Sequence, residues 1–318
     1  MTPAIEIKNV AKAFGDNQAV KDLSFTIPRG ALYGFIGPNG AGKTTTLRMI
    51  LSILFQDSGE IAVLGNQSAL DAKDRIGYLP EDRGLYKKMR VGAFLRYMGK
   101  LKSRTPSRID ADVGHWLARV DLPDVEKKRC EELSKGMQQK VQFIAAVMHE
   151  PDLLILDEPF SGLDPINRRL LRELIAEQHD RGATVIFSTH VMVHAKEICD
   201  HIIMIDRGTK VLGETLSGIR HRHDPRSIVF EALDAQADLS ALEGVPGLEE
   251  VRKNGHSAEL LLREGADVGE TLSALAASVP ASRLEVVRPT LEDVFIKIVG
   301  RERLAEQDKR DAPEGEGA

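Results

Sequence analysis

Eight consecutive residues, Gly37, Pro38, Asn39, Gly40, Ala41, Gly42, Lys43 and Thr44, fit the spacing G-x-x-x-x-G-K-[ST]. Glycines in such a run let backbone N–H groups turn inward around phosphate oxygens, and a following helix presents its positive end to the same charge. In that setting a lysine reaches the β and γ phosphates and the next hydroxyl ligates magnesium. Lys43 and Thr44 are the residues of that type here, and Thr45 is included in the nucleotide-binding set. A second chemical element runs from Leu153 to Glu158, four apolar residues ending in Asp157 and Glu158. A buried strand delivering carboxylates at its carboxyl end suits magnesium organisation by Asp157 and polarisation of an attacking water by Glu158.

These groups need a scaffold of strands ending at one edge. Apolar alternation at Ile5, Ile7 and Val10, then at Leu23, Phe25 and Ile27, followed by Leu32 to Ile36, predicts three early strands. The glycine loop then joins the third strand to a helix over Lys43 to Leu54, on the spacing of Leu47, Ile50, Leu51 and Leu54. Helices are expected over Val91 to Leu101, Arg108 to Val120 and Ser134 to His149, with Trp116 in a packing stripe. After the acidic strand, helix and strand alternate: helix Asn167 to Asp180, strand Thr184 to Phe187, helix Met192 to Cys199, and a hairpin turned at Arg207 and Gly208. This order predicts an α/β domain over residues 1–220, with helices dominating about 85–150.

A polar stretch at 221–226 reads as a linker, and the order βαββαβ plus a helix over 227–300 resembles a ferredoxin-like α+β module. Asn254 and Gly255 mark its hairpin, and Thr290 with Asp293 a capping pair opening the last helix. The charged tail at 301–318 is expected to be disordered.

Composition narrows the function classes. The chain has 318 residues, 42% of them hydrophobic, enough for a large domain and a smaller one. A net charge of −5 supplies no broad field for holding a polyanion, so nucleic acid is not the expected partner. Cys130 and Cys199 lack zinc-site spacing and read as small buried hydrophobes. The longest apolar runs fall well short of the roughly 20 residues that cross a bilayer, so any membrane role requires a partner.

The intervening motifs separate this chain from other phosphate-loop enzymes. Leu133, Ser134, Lys135, Gly136 and Met137, followed by Gln138 and Gln139, resemble the LSGGQ signature of ATP-binding cassette (ABC) proteins. Ser161 to Asp164 resembles that family's D-loop, Ser188 to His190 its switch histidine, and Phe14 stands where the family places an aromatic ring against adenine. The stretch LPEDRGLYKKM at Leu79 to Met89 and PTLEDVF at Pro289 to Phe295 resemble the sodium-efflux and drug-resistance branch of bacterial exporter ATPases, which carries a small carboxyl-terminal domain.

The resemblance implies a magnesium-dependent ATPase subunit that pairs with a second copy, sandwiching ATP between the phosphate loop of one copy and Ser134 with Gly136 of the other. Asp164 joins the nucleotide-binding set on the same ground, and His190 is assigned a γ-phosphate contact. The motor would work at the cytoplasmic face of the membrane on a separately encoded permease, with Tyr86, Lys87, Lys88 and Met89 as candidate contacts. Glu81 departs from the usual Q-loop glutamine; it either ligates the metal or repels the phosphates. The competing expectation is a soluble cassette ATPase acting on ribosomes or nucleic acid. The tandem cassettes of translation-type members and the long coiled-coil insertion of repair-type members have no counterpart in this sequence. A binding module without hydrolysis is disfavoured by the presence of Lys43, Glu158 and His190.

Overall fold

A computed structural model describes residues 2–300, apart from 83, 103–104, 223–226, 264 and 288–289. The tail at 301–318 and most of the expected linker therefore lie outside the described residues. The chain divides into two compact units, Met1–Leu216 and Ser217–Ala318.

In the first unit, β1 (Ile5–Phe14) pairs antiparallel with both β2 (Asn17–Ile27) and β4 (Ser58–Val63), forming a three-stranded sheet. The other sheet combines β3 (Leu32–Ile36), β5 (Ile76–Leu79), β6 (Leu153–Asp157), β7 (Thr184–Thr189), β8 (His201–Asp206) and β9 (Thr209–Thr215) in the order β5-β6-β7-β3-β8-β9. All neighbours are parallel except the closing hairpin β8–β9. Parallel strands are covered on both faces, which explains why all five residues of β6 are buried. Each such aliphatic side chain contributes roughly 1.5–3 kcal/mol of hydrophobic stabilisation.

Helix α1 (Lys43–Ile50) packs between the two sheets, placing Leu47, Met49 and Ile50 in one core with Ile5, Val10, Leu23, Ile155 and Ile203. Its predicted extension to Leu54 stops short because Ser52 adopts a positive φ of 54°. The short, polar β4 and the four-residue β5 carry too little alternation to stand out in the sequence.

Helices α2 (Val91–Leu101), α3 (Pro106–Arg119) and α4 (Lys135–Val147) pack on one another, with Trp116 set edge-on to Phe143 as expected of a packing stripe. Helices α5 (Pro165–Asp180) and α6 (Met192–Ile198) complete the layer alternation.

The second unit begins inside a helix. α7 (Leu216–Arg222) continues through 221–222, the start of the stretch where the sequence suggests a linker, because Leu216 and Ile219 supply a buried i, i+3 pair. Strands β10 (Ser227–Ala232), β11 (Leu248–Asn254), β12 (Ser257–Leu262) and β13 (Ala281–Val287) form an antiparallel sheet ordered β11-β12-β10-β13, with α8 (Val268–Ser278) between the last two in sequence. The first crossover is a 3₁₀ helix, Leu239–Gly244. Residues 291–300 are helical, and the Thr290–Asp293 cap is reciprocal: Thr290 N donates to Asp293 Oδ2 at 2.8 Å and Asp293 N to Thr290 Oγ1 at 3.1 Å.

Candidate nucleotide site

The glycine loop leaves β3 and enters α1 at the carboxyl ends of the parallel strands, the edge where α/β sheets bind ligands. Gly42 is required at the helix entrance: its φ is 101°, and a Cβ there would stand 2.4 Å from the Ala19 carbonyl oxygen. The Lys43 ammonium is buried and donates to the Gly37 and Pro38 carbonyls at 2.8 and 3.1 Å. Burial pushes its pKa down, opposed by the charges of Glu158, Asp157 and Glu81.

A cleft of about 360 Å³ opens over this loop. Phe14, Asn39, Gly40, Gly42, Lys43, Thr44, Thr45, Glu81 and Glu158 line it, joined by Asn17 and Ala19. The sequence reading omits these last two, which carry no chemical signature and enter through the β1–β2 hairpin. Phe14 is half exposed, with the Lys12 ammonium 5.7 Å from its ring centroid.

Asp157 is fully buried at the end of β6, and the register Asp157↔Ser188 brings the β7 hydroxyl onto its Oδ1. Burial pushes its carboxyl pKa up, while the Ser188 and Thr44 hydroxyls pull it back. Asp157 Oδ2 has no hydrogen-bond partner among the described residues. Next along the chain, Glu158 takes φ 49°, the left-handed region, a conformation costing roughly 1–3 kcal/mol in a non-glycine residue. Its carboxylate is held on both oxygens. Oε1 accepts from His190 N at 2.9 Å and His190 Nδ1 at 2.7 Å, and Oε2 accepts from Thr189 Oγ1 at 3.1 Å. Glu81 lies beyond β5, where desolvation and the negative charges of Asp157, Glu158 and Asp82 push its pKa up against the pull of Lys43.

Three expected residues stand elsewhere. Ser134 caps α4, accepting from Met137 N at 3.3 Å; Gly136 follows it; Asp164 caps α5, accepting from Asn167 N at 2.9 Å. None lines the cleft. His190 reaches it only through Glu158, and Ala41 is buried in the loop, its carbonyl accepting from Gly208 N at 2.9 Å.

Among the described residues, no group of three or more carboxylate, histidine or cysteine side chains could hold a metal ion unaided. A hydroxyl at Thr44 and an unpartnered oxygen on Asp157 nonetheless fit Mg²⁺, which takes one or two protein oxygens and completes its shell from substrate phosphates and water.

The chain is similar to known proteins along most of its length. Residues 20–161 match the ABC transporter family, and residues 215–299 match the carboxyl-terminal domain of ATP-binding proteins like DrrA1-3. The ABC transporter ATP-binding protein YhaQ of Bacillus subtilis is 38% identical over 93% of this chain and 98% of its own. Nod factor export ATP-binding protein I of Cupriavidus metallidurans is 33% identical over 95% of this chain and 99% of its own. A solved ATP-binding subunit of an ABC transporter superposes with a TM-score of 0.64 at 30% identity, covering 70% of this chain and 93% of the other. The chain, which spans these relatives nearly end to end, therefore belongs to the ABC transporter ATP-binding proteins, ATPases that power transport.

Proposed function

We propose that two copies of this chain close head to tail around Mg-ATP and drive a separate membrane-spanning permease in the direction of export. The observation that carries the hydrolytic half of this reading is the Glu158 carboxylate, fixed by His190 and Thr189 at the wall of the cleft that Lys43 floors. On binding, Lys43 exchanges its loop carbonyls for the β and γ phosphates, while Phe14 offers a ring face to the adenine. Glu158 accepts the proton of the attacking water as general base, and His190 orients that carboxylate and contacts the γ-phosphate. Thr44 and Asp157 would hold Mg²⁺, with Glu81 at its edge; when bound, the ion neutralises charge on the phosphates.

Dimerisation is supported by the positions of Ser134, Gly136 and Asp164. Lying off their own cleft, they are free to cover that of a second copy. Closure would exclude water, and loss of the γ-phosphate would release the two faces.

The permease reading is supported by the export and transport names of the relatives and by a groove of about 720 Å³ lined by Glu81, Asp82, Leu85, Lys87, Lys135 and Gln138, among others. Beside it, the half-exposed Tyr86 packs edge-on to Phe94 and Tyr97, with centroids 6.1 and 5.9 Å away. Glu81 lines both the groove and the nucleotide cleft, so a permease segment seated there would touch a residue that faces the phosphates. No helix among the described residues is long and apolar enough to cross a membrane. In the proposed assembly the pore is another polypeptide, and this subunit is peripheral on the cytoplasmic face. Purification of the native complex in detergent tests this. A multi-span protein at stoichiometric yield is expected; ribosomes or nucleic acid in its place would refute the assignment.

A further inference from the structure

Away from the nucleotide cleft, a hollow of about 190 Å³ opens between α5 and α6. Arg168, Arg169 and Arg172 line it from α5, His194 and Glu197 from α6, and Phe160 from the segment after Glu158. Two of the arginines have carboxylates: Arg172 Nη1 donates to Glu197 Oε2 at 2.9 Å, and Arg169 Nε to Glu173 Oε1 at 3.0 Å. Arg168 differs. Its Nη2 donates to the Leu163 carbonyl at 3.3 Å, and its buried Nε has no hydrogen-bond partner among the described residues. A guanidinium does not shed its proton near neutral pH, so that charge stays in the hollow.

The His194 ring packs edge-on to Phe160 at 5.2 Å between centroids. Burial, Arg168 and His190 push its pKa down, against the charges of Glu197 and Glu158. Glu197 and Glu173 thus offset two of the three guanidinium groups, and the positive charge of Arg168 is left without a carboxylate.

We propose that this hollow is a binding site for a small oxyanion of the phosphate class, gripped by Arg168 with Arg172 and His194 alongside. The planar guanidinium fork matches phosphate oxygens, and the excess positive charge selects an anion over water. Inorganic phosphate is also what ATP hydrolysis releases. Phe160 lies two residues from Glu158, and His194 four from His190, so the occupant sits beside the hydrolytic pair without entering the nucleotide cleft.

The test is calorimetric titration of inorganic phosphate into the full chain carrying Lys43→Met, which disables the glycine loop as a competing site. Binding is expected with phosphate and not with acetate at equal ionic strength, and Arg168→Gln should weaken it at least about tenfold. Heats unaffected by Arg168→Gln, or a preference for acetate, would overturn the site. If Arg168→Gln does not fold, the C2 proton of His194, followed by NMR without that substitution, gives a second reading. Its titration midpoint should rise at saturating phosphate as the anion offsets Arg168, and an unmoved midpoint would likewise overturn the site.

Discussion

Lys43 Nζ donates to the carbonyl of Gly37 at 2.8 Å, so the cation proposed to bind phosphate closes its own loop. The loop is therefore pre-shaped, and a triphosphate has to replace carbonyl partners rather than order a free chain. Charge-assisted hydrogen bonds of this kind are worth about 1.5–3 kcal/mol each. Lys43→Met should weaken ATP binding roughly 10- to 100-fold, read by equilibrium titration with a fluorescent ATP analogue. Wild-type affinity in that variant would remove Lys43 from the site.

Glu158→Gln preserves the side-chain volume and leaves the His190 backbone N–H an acceptor, but removes the proposed base. ATP should still bind, while hydrolysis slows at least about 100-fold, the scale of losing a positioned general base. Single-turnover phosphate release checks this directly. A stable ATP-dependent dimer of the variant, seen by light scattering, is the companion expectation; turnover at the wild-type rate would assign the base elsewhere.

The parts of the candidate site that the sequence brought forward are those in which the proposed chemistry dictates residue type. A turning loop needs Gly42, the proposed phosphate contact needs a cation such as Lys43, and a strand ending in acids announces Asp157 and Glu158. What holds them was less visible. Ser188 and Thr189 meet the two carboxylates because β6 and β7 pair in the register Asp157↔Ser188, and register between strands some thirty residues apart has no local signature. Asn17 and Ala19 line the cleft by hairpin geometry, not side-chain identity. In the second unit, alternation foretold the strands and Asn254–Gly255 the hairpin, whereas α7 was hidden by its polar composition.

Glu81 adds a negative charge to the cleft proposed to accept a triphosphate, and its raised pKa reflects desolvation together with crowding by Asp157 and Glu158. At pH 8, Glu81→Gln should tighten ATP binding in the presence of EDTA by roughly 3- to 10-fold, about 1 kcal/mol of relieved repulsion. Mg-ATP affinity should change less, because the ion already offsets that charge. The gain should shrink as pH falls through the Glu81 pKa, where the wild-type carboxyl becomes neutral. Calorimetry with and without magnesium measures all three; equal affinities for both proteins would place Glu81 off the phosphates.

Asp157 is a buried carboxyl whose pKa is raised chiefly by desolvation, so its ionised form costs stability in the nucleotide-free chain. Folding favours the protonated acid. The associated stabilisation is fully present below the unfolded value near 3.8 and is lost as pH rises through the folded pKa. Asp157→Asn should therefore raise the melting temperature at pH 7 by about 2–4 °C, on the order of 1 kcal/mol, while abolishing magnesium-dependent ATP binding. The stability gap should narrow as pH falls through the folded pKa. A variant less stable than wild type at pH 7 would show that the Ser188 and Thr44 contacts outweigh burial.

Two glycines of one loop separate strain from collision. Gly40 has φ 79° and open space, with nothing within 4 Å of the point a Cβ would occupy, whereas Gly42 has φ 101° and its Cβ would strike the Ala19 carbonyl at 2.4 Å. Gly40→Ala carries only the backbone penalty, roughly 1–2 kcal/mol. Gly42→Ala carries that penalty and must also displace the β2 backbone, which Lys21 N ties to Gly208 O at 2.8 Å while Gly208 N bonds Ala41 O at 2.9 Å. The alternative to displacement is withdrawal of the loop, which would pull Lys43 from the phosphate position. Urea denaturation should accordingly show a loss at least about 2 kcal/mol larger for Gly42→Ala than for Gly40→Ala, with ATP binding abolished in the former and weakened in the latter. Equal losses would mean that the hairpin yields freely and that Gly42 is set by φ alone.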